Sequence, residues 1–98
     1  MKPTSIILPL GLLITNALAV DVTITMAGGT TDLRHLPTTG ECIDLFQGTH
    51  HAKLHGGDKG TLCVFWLDSG CTGPPVGAIS TQSRDSDMVD SANGARCH

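Results

Sequence analysis

Thr61-Leu62-Cys63-Val64-Phe65-Trp66-Leu67, followed at once by Asp68-Ser69-Gly70-Cys71-Thr72-Gly73, decides how the rest of the chain is read. The first seven residues are dense in β-branched and aromatic side chains, the composition of a strand packed against a core. Asp68-Ser69-Gly70 then turns the chain back, and Pro74-Pro75 breaks any continuation before Val76-Gly77-Ala78-Ile79 offers a return strand.

Outward from this hairpin the punctuation stays that of short strands. Val20-Asp21-Val22-Thr23-Ile24-Thr25-Met26 alternates apolar and polar, the period of a half-buried strand. Ala27-Gly28-Gly29 ends it, and Thr30 to Gly40 reads as a loop carrying Pro37. Glu41-Cys42-Ile43-Asp44-Leu45 predicts a second strand, and His51-Ala52-Lys53-Leu54-His55 a weak third one stopped by a glycine-rich turn, Gly56 to Gly60. From Ser80 to Asp90 the chain is polar and reads as irregular, and a last short strand is expected through Ala95-Arg96-Cys97. No apolar run of helical period follows Ala19. The expected fold is all-β, a small sandwich or barrel in one domain.

Residues 1–19 carry the three parts of a secretory signal. Lys2 supplies the positive charge, Ile6 to Ile14 the apolar run, and Ala17-Leu18-Ala19 the small residues of a cleavage site. A spanning helix needs about 20 apolar residues, and Pro9, Gly11, Thr15 and Asn16 interrupt this run before Asp21 ends it. The expected product is therefore secreted, spans no membrane, and consists of residues 20–98. Without Lys2, five basic residues face nine acidic ones, a formal charge of −4. That balance argues against nucleic acid as a partner, because phosphate recognition calls for a basic face. Near pH 5 the five histidines would bring the net charge to about zero.

Cys42, Cys63, Cys71 and Cys97 form an even set in a short exported chain, which reads as a disulfide framework with three possible pairings. No Cys-x-x-Cys spacing suggests a zinc ribbon or a redox dithiol. A domain this small has a folding balance near zero before cross-links are added.

The strand and turn from Leu62 to Gly73 resemble the folded hairpin of the βγ-crystallin Greek-key motif, with its aromatic, spaced acidic residue and later glycine. Gly40-Glu41-Cys42-Ile43-Asp44-Leu45, Ala52-Lys53-Leu54, and Cys71 with Gly73 extend the likeness to small secreted fungal proteins of crystallin-like type. The match covers about Glu41 to Gly73, under half of the exported chain. The resemblance implies a Greek-key β-sandwich, with Gly73 where the chain crosses itself and Gly70 at positive φ. It also implies Cys63 paired with Cys97, leaving Cys42 for Cys71. That group includes effectors acting on a host, killer-toxin-like antimicrobials and inhibitors, so fold alone does not choose among them.

The chemistry-bearing residues are few. His50-His51-x-x-x-His55 has the spacing of metal-binding histidines on a helix. On a strand, however, residues four apart stand about 13 Å from each other, so no metal is expected and His51 and His55 become candidate binding residues of a pH-sensitive surface. Asp85-Ser86-Asp87 and Asp90-Ser91 lack calcium-loop spacing. Ser69 has no Gly-x-Ser-x-Gly context, and paired cysteines offer no thiol nucleophile. No catalytic residue and no cofactor is expected. Phe65 and Trp66 face opposite sides of one strand, and Trp66 is a candidate anchor for a protein partner. Neither asparagine lies in a glycosylation sequon.

These readings predict a secreted, monomeric, non-enzymatic binding protein of effector type, meeting an extracellular or host protein. The alternatives are a killer-toxin-like antimicrobial and a protease inhibitor presenting Thr72-Gly73-Pro74-Pro75-Val76 as a rigid loop.

Overall fold

The computed structural model describes residues 19–98. The expected signal segment thus lies outside the described residues, apart from Ala19. The described chain contains no helix; it forms six antiparallel strands, β1 (Ala19–Met26), β2 (Thr31–Pro37), β3 (Cys42–His55), β4 (Leu62–Asp68), β5 (Thr72–Ser80) and β6 (Asp85–Cys97). They run in the order β2-β1-β3-β6-β4-β5. Two units of one design meet at the centre. In each, a hairpin is followed by a third strand that returns to lie on the far side of the first, giving β2-β1-β3 and β5-β4-β6; the two returning strands, β3 and β6, pair with each other.

The alternating pattern places Val20, Val22 and Ile24 of β1 inward and fully buried, against Leu36, Leu54, Phe65, Ile79 and the Cys63 and Cys97 side chains in one cluster. Each large apolar side chain so buried contributes roughly 1.5–3 kcal/mol. β3 and β6 are both long and both bulged: β3 between Asp44 and Thr49 against β6 and again at His50 against β1, β6 between Asp87 and Ala92. Bulges bend a strand and increase its twist, and the single sheet thereby folds over itself like a sandwich. Gly77 of β5 lies so close over β6 that an added Cβ would meet the Met88 sulfur.

Four readings of the sequence are corrected. The stretch expected as a loop from Thr30 to Gly40 holds β2, whose only buried side chain is Leu36. An edge strand gains its backbone bonds from one neighbour and needs no apolar face, so alternation is absent. The two short strands expected at 41–45 and 51–55 are one strand, bulged at the join. Pro74-Pro75 does not break the chain but lies within β5, where an edge tolerates missing N–H donors. The polar stretch expected as irregular up to Asp90 belongs from Asp85 onward to β6; Met88 is its one buried side chain, and the next inward positions of the strand are the small Ala92, Gly94 and Ala95, which carry little strand signal.

Two disulfides pin the fold. Cys63 and Cys97 sit directly opposite each other on β4 and β6, Cα atoms 4.0 Å apart and both buried. Leu62 and His98 beside them exchange both backbone bonds at 2.9 Å, so the cysteines occupy the closer, non-hydrogen-bonded kind of pair. Cys42 of β3 joins Cys71 in the β4–β5 turn. That turn lies back over the sheet. Gly70 N–H donates to Asp44 Oδ1 at 2.9 Å and Asn93 Nδ2 donates to the Leu67 carbonyl at 2.9 Å. Gly70 and Gly73 have φ of 74° and 75°, and an added Cβ on Gly73 would stand 2.5 Å from Asp68 Oδ2. Cys71 itself is held at φ 54°, the one non-glycine residue with positive φ among the described residues.

Candidate binding face

Because Val20, Val22 and Ile24 point inward, Asp21, Thr23 and Thr25 point outward. The registers extend that outward set across four strands. Asp21 faces His35 on β2 and His55 on β3; Thr23 faces Leu33 and Lys53, with Asp85 beyond; Thr25 faces Thr31 and His51, with Asp87 beyond. The result is a polar face carrying His35, His51 and His55 among three aspartates and three threonines.

Each of these imidazoles has its own partner on a neighbouring strand. His35 Nδ1 lies 2.7 Å from Asp21 Oδ1, and His51 Nδ1 lies 2.6 Å from Asp87 Oδ1. His55 Nε2 lies 2.7 Å from Thr23 Oγ1. Pairing ring by ring spreads the histidines out instead of gathering them. Among the described residues, no group of three histidines, cysteines or carboxylates could hold a metal ion. His50, in the β3 bulge, contacts Ser91 Oγ through Nε2 at 2.9 Å. There Gly48 lies against Ser91, and Val89 stands out into solvent, 87% exposed.

The residues predicted as binding groups are thus divided. His51 and His55 share one face. Trp66 lies on β4 between Gly94 and Pro75, half-buried and away from that face, with its Nε1 enclosed and unpartnered, whereas its neighbour Phe65 is fully buried in the core. The sequence does not single out His35 and Asp21, because Thr31 to Pro37 lacks the alternation that marks a strand. The register that sets them opposite each other arises from the β1–β2 turn, where Met26 N–H donates to the Thr30 carbonyl at 2.8 Å. Thr72 to Val76 does not stand clear as an inhibitory loop: it is paired along β4, from Thr72 opposite Asp68 to Pro75 opposite Trp66.

In comparisons with known proteins, no family model, no curated protein and no solved structure matches the chain. Among the described residues there is no helix long and apolar enough to cross a membrane.

Proposed function

We propose that this chain is a secreted, non-enzymatic binding protein of the small cysteine-rich effector type, which engages an extracellular or host protein through the histidine–aspartate face of β2, β1, β3 and β6. The observation that carries the reading is the ordering of that face. Three imidazoles are each fixed by a cross-strand partner at 2.6–2.7 Å, on a sheet stapled by two disulfides. A surface ordered before contact loses less side-chain entropy on binding. Two of its imidazoles face carboxylates, so the face offers a partner a fixed alternation of ring nitrogens and carboxylate oxygens. The partner class is a protein surface rather than nucleic acid, since the exported chain is acidic.

Secretion is supported by the signal-like first 19 residues and by disulfides, which persist in oxidising compartments. A crystallin-like, Greek-key ancestry remains part of the proposal. In its favour are the turn folded back over its sheet and the third strand that returns beside the first in each unit, which is the Greek-key return made one strand early.

The test immobilises the exported protein and challenges it with extracellular host extract at pH 7.5 and pH 5.5. Specific capture that is lost on replacing His35, His51 and His55 by Ala, yet kept by Val89→Ser, is the expected result. Capture indifferent to the histidine changes would remove this face from the proposal. A killing zone against yeast or bacteria would favour the antimicrobial alternative instead.

A further inference from the structure

The sheet has two outer edges, and they are not alike. β5 carries Pro74 and Pro75, which have no N–H to offer, a common defence of an edge against a foreign strand. β2 has none. It runs from Thr31 to Pro37 with unbroken register against β1, no bulge, and no proline before its last residue. Among the described residues nothing pairs with its far side. At its middle stands Leu33, 62% exposed, one of two large apolar side chains so placed.

The hydrogen-bond parity of the hairpin fixes what this edge offers. Met26 and Thr30 are a bonded pair, so along the register Asp32, Arg34 and Leu36 turn their backbone groups toward β1. Thr31, Leu33 and His35 therefore turn their N–H and C=O groups outward. We propose that this edge pairs antiparallel with the same edge of a second copy, about a two-fold axis at Leu33, so that two chains form one continuous sheet.

The side chains match that arrangement. An axis at Leu33 sets Leu33 against Leu33, Thr31 against His35, and Asp32 against Arg34 of the other copy, twice over by symmetry. Opposite charges directly across a strand pair are favourable, and like charges are not. The neighbouring registers do worse. An axis at Arg34 would use the same outward backbone groups but face two guanidiniums together and set Leu33 against His35, while axes at Thr31 or His35 leave Asp32 and Arg34 unmatched. Asp32 is exposed, and Arg34, half-buried, makes one long contact of 3.4 Å from Nη2 to the Asp44 carbonyl, which leaves its other donors for a carboxylate. Pairing would also join the two histidine–aspartate faces side by side. The inference does not depend on that face binding anything.

Light scattering coupled to size exclusion, over roughly micromolar to millimolar protein, tests it. The expected result is a concentration-dependent dimer. Asp32→Arg and Arg34→Asp should each raise its Kd about tenfold or more, as two attractive pairs become repulsive. The double variant should recover dimerisation, and an equimolar mixture of the two single variants should form a heterodimer, since each supplies what the other has lost. Should Arg34→Asp melt early, Leu33→Lys carries the test: its side chain lies in solvent, two ammonium groups would meet at the axis, and the dimer should be lost. A chain monomeric throughout, or a dimer that none of these changes moves, overturns the proposal.

Discussion

Gly94→Ala probes the packing that holds the β4–β5 turn over the sheet. A Cβ on Gly94 would lie 3.0 Å from the Asp68 carbonyl oxygen and 3.0 Å from the Cys71 nitrogen, with Cys71 Cα at 3.3 Å. All three are backbone atoms, so no side chain can swing aside. Relief requires the turn to lift by a few tenths of an ångström. The Cys42–Cys71 bond opposes that lift, as do the bonds from Gly70 N–H to Asp44 and from Asn93 to Leu67. Overpacking of this kind costs about 1–3 kcal/mol, and in a domain of this size each kcal/mol lowers Tm by about 4–8 °C. Thermal and urea unfolding, followed by the fluorescence of the single tryptophan, should show Gly94→Ala melting roughly 5–20 °C early. Gly28→Ala, where nothing lies within 4 Å, should be neutral or slightly stabilising. The decisive measurement repeats Gly94→Ala in a Cys42→Ala/Cys71→Gly background. With the clamp open the turn can rise, so the penalty should shrink by at least about 0.5 kcal/mol, the size of coupling expected between touching residues. An equal penalty in both backgrounds, or none in the parent, refutes the clamp.

Other outcomes follow from the same contacts. Each disulfide closes a loop of about 30–35 residues, worth roughly 3.5–4 kcal/mol by chain entropy, yet Cys63→Ala/Cys97→Ala should destabilise more than Cys42→Ala/Cys71→Ala because its side chains are buried and Cys42 is half-exposed; urea midpoints in the reverse order would contradict this. Phe65→Ala, which empties a fully buried site, should cost about 3–5 kcal/mol, while Leu33→Ala should stay within about 0.5. Calorimetry distinguishes the two readily. Asp87→Ala should change stability by less than about 1 kcal/mol despite its 2.6 Å contact with His51, because its side chain is 88% exposed; a larger loss would mean the histidine–aspartate face is structural rather than free for recognition.

Much of the fold was legible wherever burial and alternation coincide. Val20 to Met26 and Leu62 to Leu67 announce strands because one side of each is core, and Gly70 and Gly73 announce a turn that folds back. His51 and His55 were legible as strand residues too far apart for one ion. Four cysteines in a short chain announce two bridges. Alternation says which residues face inward, though, and is silent on which strand lies beside which. Neighbour choice was decided in three dimensions: it made Thr31 to Pro37 a strand with a single buried residue, drew the polar stretch from Asp85 into the middle of the sheet with Met88 as its one buried side chain before Ala92, and set Asp21 between His35 and His55. Edge and centre strands owe their existence to hydrogen bonds from distant neighbours, and those bonds leave no periodic mark on the residues that make them.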